Sequence, residues 1–197
     1  MKKIPCLLQR EFYDDHTFKL LEDKITPGCE WVLDRSIGVA TEKFDGTACL
    51  VKNGELYKRY DAKKGKQPPK DAIPCQEPDP ITGHWPHWVK IDRNKKEDKW
   101  YVEAWDRLNN IADLFNRYIQ DGTYELCGPH FQGNPYNLEQ DLFFKHGKTI
   151  LIDVPRNIQG IKQYLDEHYI EGIVFYRCNE KNDMCKIRRK DFGFEWK

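Results

Sequence analysis

Thr41-Glu42-Lys43-Phe44-Asp45-Gly46-Thr47-Ala48-Cys49-Leu50-Val51-Lys52-Asn53-Gly54-Glu55-Leu56 is the stretch on which the fold turns. Asn53-Gly54 suits a two-residue hairpin turn, because both residue types tolerate positive φ. It joins a strand over 47–51 to a return strand over 56–60. Lys43 then lies just before a strand, in a connection shaped by Asp45-Gly46. Downstream, 67–86 is rich in proline and polar residues and reads as an irregular excursion. Residues 100–105 read as a strand. Leu108, Ile111, Ala112, Phe115, Tyr118 and Ile119 recur at three- and four-residue spacing, which predicts a helix over 106–120 stopped by Gly122. Strands over 123–127 and 149–154 flank a loop holding Gly133-Asn134-Pro135-Tyr136. Ile158, Ile161, Tyr164, Leu165 and His168 mark a second, short helix. Final strands over 172–178 and 184–189 enclose a turn at 179–183. The fold class is α+β, mainly antiparallel sheets with a few flanking helices.

The 197 residues fit a single domain with a sizeable core. Basic and acidic residues balance at 32 each, so no global field draws the chain to a polyanion. Nucleic-acid binding would rest on local patches, such as Lys58 to Lys70 and Lys186 to Lys190, each of which is also compatible with a solvated charged surface. Seven cysteines, odd in number and without Cys-x-x-Cys spacing, argue against a zinc knuckle and for a reducing, cytoplasmic setting. Met1-Lys2-Lys3-Ile4-Pro5 leads into no long apolar run, so neither a signal peptide nor a membrane span is expected.

Four spaced features carry chemistry: Lys43, Glu125 in Tyr124-Glu125-Leu126, Glu171 in Glu171-Gly172-Ile173-Val174-Phe175, and Lys186-Ile187-Arg188. A free lysine is neutral about once in a thousand at neutral pH. A nucleophilic one must be brought down to about 7–8, by burial or by nearby cations. Arg59, Lys186, Arg188 and a divalent metal could supply that field, and the same charges would steady a phosphate under attack. The set suits attack of a lysine on a nucleoside triphosphate. Taken singly, each residue is ordinary. A strand acid more often sits on an exposed face, and Lys186 and Arg188 share one face by period two. His84, Trp85, His87 and Trp88 could stack on RNA or hold a metal, but pinning a long loop is the simpler reading.

In this order the motifs resemble the covalent lysine nucleotidyltransferases, the polynucleotide ligases and messenger-RNA capping enzymes. More narrowly, Thr41–Thr47, Gly133–Tyr136, His146-Gly147, Glu171–Val174 and Lys186, with Gly193 and Trp196 beyond, resemble stand-alone ATP-dependent 5′-to-3′ RNA ligases. The resemblance implies a nucleotidyltransferase (adenylation) domain that uses ATP with Mg2+ or Mn2+ and joins RNA 5′-phosphate and 3′-hydroxyl ends. By position it implies that Lys43 carries AMP and that the backbone of Glu42 faces the adenine. Asp45 and Gly46 would shape the turn, Arg59 would touch ribose or RNA end, Glu125 would hold the ribose and Glu171 the metal. Lys186 and Arg188 would meet the α-phosphate, and Phe144, with Phe143 close behind, would stack on adenine. Many relatives carry an oligonucleotide-binding domain after the last motif. With the basic strand ending near Arg189, a single domain over 1–197, acting as a monomer, is the expectation. A capping-type guanylyltransferase and an inactive RNA-binding module of the same fold are the alternatives.

Overall fold

Strand formation follows the β-branched and aromatic runs of the sequence. In chain order the elements are β1 (Leu8–Phe12), β2 (Phe18–Ile25), β3 (Gly38–Lys43), β4 (Thr47–Lys52), β5 (Glu55–Ala62), β6 (Ile73–Pro74) and β7 (Trp85–Lys90). There follow α1 (Lys99–Leu114), β8 (Gly122–Cys127), β9 (Leu142–Lys145), α2 (Ile158–Glu167), β10 (Gly172–Arg177) and β11 (Met184–Arg188). The computed structural model describes residues 2–14, 17–80, 82–178, 180 and 183–196. Every pairing between these strands is antiparallel, so the molecule is α+β as its sequence predicts. The turn expected at 179–183 falls largely outside the described residues.

The chain forms two compact units, one of Asp45–His146 and one of Lys3–Phe44 with Gly147–Lys197. In the first, six strands run in the order β6-β7-β5-β4-β8-β9. Asn53 and Gly54 both have positive φ, as the hairpin between β4 and β5 requires. One sheet face buries Cys49, Val51, Leu56, Tyr124 and Leu126 against Ala104 and Trp105 of α1. The alternation of a strand then puts Ala48, Arg59, Glu125 and Phe144 on the opposite face.

The helix differs from expectation at both ends. Residues 100–105 are its first turns, not a strand, because Trp100, Tyr101, Ala104, Trp105 and Leu108 form one helical stripe against the core. It stops at Leu114, where Asn116 takes φ 50° and the Arg117 N–H reaches the Ala112 carbonyl at 2.8 Å. That is a Schellman stop, reached well before Gly122. Ile111, Leu114, Phe115 and Tyr118 are accordingly exposed.

In the second unit, β10 is the middle of a three-stranded sheet, β11-β10-β3, backed by α2. Ala40, Ile173, Phe175, Cys185 and Ile187 fill the core face together with Ile161 and Leu165 of α2. Across the other face the register aligns Lys43, Gly172 and Arg188 in one row and Thr41, Val174 and Lys186 in the next. Residues 149–154 do not form the expected strand. They make a single bridge, Thr41 to Ile150, flanked by Glu42 N–H to Thr149 O and Leu151 N–H to Ala40 O, both 2.9 Å. Arg35 then claims the Ile152 and Val154 carbonyls at 3.1 and 3.0 Å, and Pro155 follows without an N–H. All seven cysteines are free, and four are buried as small hydrophobes.

Gly172 is the tightest point of this sheet. A Cβ there would lie 2.3 Å from the Ile187 carbonyl oxygen and 2.8 Å from Arg188 Cα, both backbone atoms that cannot swing aside. Gly172→Ala is expected to cost about 1–3 kcal/mol in urea unfolding. A midpoint equal to wild type would show that β10 and β11 have room to separate.

Candidate functional site

Lys43 ends β3, and its side chain turns toward the loop that leads into β10. Its Nζ forms an ion pair with Glu171 Oε2 and lies 3.3 Å from the Phe44 carbonyl oxygen. Glu171, the residue before β10, has only 6% of its side chain exposed against 22% for Lys43, so the pair sits in a recess that still opens to solvent. Strand period two places Lys186 and Arg188 on the same face as Lys43. Lys186 is half-buried. Desolvation, with the charges of Lys43, Arg188 and Arg10 around it, pushes its ammonium down to about 8, and Glu171 opposes the shift. The site therefore holds more positive charge than its own carboxylates comfortably balance, the electrostatic setting that a phosphate would relieve.

Arg188 is not an uncommitted phosphate ligand. Asp191, with no side-chain exposure, accepts from Arg188 Nη2 at 2.8 Å and from Arg10 Nη2 at 2.7 Å. Together with the two arginines' charges, these bonds hold the Asp191 carboxyl below its ordinary range in spite of burial. Arg10 comes from β1 and was not visible as a site residue in the sequence. The only local trace of Asp191 was its three-residue spacing from Arg188. Glu42 places its side chain half-buried, where desolvation raises its carboxyl, and its backbone N–H is already given to Thr149.

The other unit assembles a second set. Glu125 on β8 pairs directly with Ala48 of β4 and with Phe144 of β9. Its Oε1 accepts the Gly46 N–H at 3.1 Å. Gly46 must be glycine, because a Cβ would fall 2.3 Å from the Leu126 carbonyl oxygen. Glu125 Oε2 lies 2.9 Å from His146 Nε2. Asp45 donates its backbone N–H to the Tyr136 hydroxyl at 2.7 Å. The loop that carries Tyr136 is bent by left-handed residues at Gln132, Gly133, Asn134 and Asn137. Read as sequence, Gly133–Tyr136 was chemically ordinary, and only the fold brings its tyrosine onto the turn after Lys43. Arg59, on the same face as Glu125, stacks over Trp88 at 5.7 Å and pairs with Asp61 at 3.5 Å.

Other candidates resolve as structure. Lys58, from the first basic patch, is paired with the buried Asp98. His87 is buried with Nδ1 2.8 Å from the Trp85 carbonyl, and Trp85 Nε1 donates to Gln76 O at 2.8 Å, so this cluster pins the preceding loop. Among the described residues no three acidic, histidine or cysteine side chains gather as a metal cage, and no helix is long and apolar enough to cross a membrane.

A lysine paired with a carboxylate and backed by a basic strand is an arrangement suited to attack of a lysine on a phosphate. The chain is similar to "RNA ligase 1" of Danio rerio, 24% identical, and of Rattus norvegicus, 26% identical. It is 23% identical to the same protein of Pongo abelii, and each of the three comparisons covers 99% of this chain and 82% of the relative. No protein-family model matches the chain. Over nearly its whole length the chain is thus similar to these RNA ligases, at identities of 23–26%.

Partial burial of Lys186 among cations has a measurable consequence. A lysine held down to about 8 in the fold, against about 10.4 unfolded, costs stability wherever it is charged. The cost is fully present below pH 8 and disappears as pH rises from 8 to about 10.4. Lys186→Met is expected to be more stable than wild type at pH 7 by up to about 3 kcal/mol, with the gap closing toward pH 10. Thermal melts across pH 6–10 test this; a variant no more stable than wild type at pH 7 would contradict it.

Proposed function

We propose that this chain is an ATP-dependent RNA ligase in which Lys43 becomes the adenylate carrier. The observation that carries the reading is the Lys43–Glu171 pair beside the half-buried Lys186. An attacking amine must be uncharged, so the ion pair opens before attack. Lys43 Nζ then forms a bond to the α-phosphorus of ATP, the bond to the bridging oxygen breaks, and pyrophosphate leaves. AMP next passes from Lys43 to an RNA 5′-phosphate, forming a phosphoanhydride and freeing the amine. Finally an RNA 3′-hydroxyl oxygen attacks that 5′-phosphate, AMP leaves, and a phosphodiester remains.

In this reading Lys186 meets the charge on the phosphate in each step, and Arg188, tied to Asp191, supports it. Glu125 serves the ribose, with Asp45 and Gly46 shaping the turn after Lys43. Phe144, beside Glu125 across the β8–β9 pair, serves the adenine, and Arg59 the ribose or RNA end. A divalent ion, Mg2+ or Mn2+, fits the donor set as a ligand shared with the nucleotide: Glu171 offers one carboxylate, and magnesium commonly takes few carboxylates with phosphate oxygens and water. When bound it supplies Lewis-acid neutralisation of phosphate charge. RNA ends are the expected partner.

Pre-adenylated RNA separates the roles. Lys43→Ala is expected to take no label from ATP yet to seal pre-adenylated RNA, because the last step needs no lysine nucleophile. Lys186→Ala should be slow in both assays, by about 10²–10³-fold. Label on Lys43→Ala, or wild-type sealing by Lys186→Ala, would contradict these assignments. Glu171→Ala should lower the rate of self-adenylation by about 10²-fold, some 3 kcal/mol. A near-normal rate across a magnesium titration would make Glu171 a partner of the resting lysine only.

A further inference from the structure

Glu125 is held from two sides before any nucleotide arrives. Gly46 N–H occupies Oε1 and the imidazole of His146 occupies Oε2, at 3.1 and 2.9 Å. A carboxylate only accepts, so His146 Nε2 carries the proton and donates it. In the neutral ring Nδ1 is then an acceptor, and it is buried without a hydrogen-bond partner. A histidine present merely to tie β9 to β8 would gain from a partner on both nitrogens, since an orphaned buried polar atom costs about 1–3 kcal/mol. The backbone already ties the two: His146 N–H donates to Thr123 O at 3.1 Å. The side chain's bond to Glu125 is thus additional to the sheet, and it fixes the orientation of a carboxylate that has one lone pair left on each oxygen.

We propose that His146 is a positioning residue for nucleotide recognition: it locks Glu125 so that the carboxylate distinguishes a ribose hydroxyl from a hydrogen. This rests on the ligase reading, in which Glu125 meets the ribose. A fixed acceptor strongly rejects an analogue that leaves it unpaired, whereas an acceptor free to rotate toward water rejects it weakly.

The experiment compares self-adenylation by intact mass with ATP, 2′-deoxy-ATP and 3′-deoxy-ATP, for wild type, His146→Ala and His146→Gln. Each variant is scored by its own ratio of kcat/KM between ATP and the deoxy analogues, which cancels any loss of folded protein. Wild type should favour ATP over at least one analogue by about 10- to 100-fold. His146→Ala should shrink that ratio to about threefold or less, chiefly through a raised KM for ATP. His146→Gln, which keeps an N–H donor, should recover part of the ratio. An unchanged ratio in His146→Ala, or no preference in wild type, overturns the role of His146 while leaving the ligase reading intact. A wild-type protein that takes no adenylate from any of the three overturns the ligase reading, and this proposal with it.

Discussion

Charge balance across one sheet face governs the lysine-bearing unit. Arg10, Lys43, Lys186 and Arg188 converge there, while Glu171 and Asp191 are the carboxylates that hold them. The two acids divide the work. Asp191 is sealed in and accepts from both arginines, which compensates much of its burial, although Arg10 Nε is buried without a hydrogen-bond partner. Glu171 pairs with Lys43, and Lys186 is left half-buried with cations around it. The unit thus stores an electrostatic cost that an anionic ligand would repay, the usual compromise between stability and a prepared site.

Close backbone approach makes that geometry possible. Gly172 lets β10 and β11 close over the row that links Lys43 to Arg188, and Gly46 lets the turn after Lys43 lie against β8. Neither glycine needs unusual φ; each is required because a Cβ would strike a carbonyl. The turn is held further by Tyr136 on the Asp45 N–H and by Glu125 on the Gly46 N–H. Residues immediately after the lysine are therefore fixed by side chains some 80 to 90 positions away.

Much of this was legible in the sequence where local chemistry decides the outcome. The Asn53-Gly54 hairpin, α2 and the strands around Glu125, Glu171 and Lys186 formed as the periodicity indicated. The Lys43–Glu171 ion pair was not legible: motif order gave Glu171 to a metal, and only the β3–β10 register sets it beside the lysine. Where tertiary contacts decide, the reading failed. The aromatic run 100–105 has strand-like composition, but its burial against β4 and β8 is helical. The 149–154 run is β-branched enough for a strand, yet Arg35 draws off its carbonyls. β7 and β9 were missed because proline and histidine interrupt one and the other is four residues long. Arg10, Tyr136, His146 and Asp191 lie far in sequence from most of what they touch, or have no chemical signature of their own. Their roles appear only when the chain is folded.

The central claim, that Lys43 is the covalent carrier, is tested most directly by finding the nucleotide on the protein. Purified chain incubated with ATP and magnesium would be digested under mildly alkaline conditions, and its peptides analysed by mass spectrometry. The account predicts one added adenylate, on the peptide bearing Lys43, in an acid-labile phosphoramidate linkage, and none when GTP replaces ATP. An adenylate on any other residue, or a guanylate on Lys43, would contradict it.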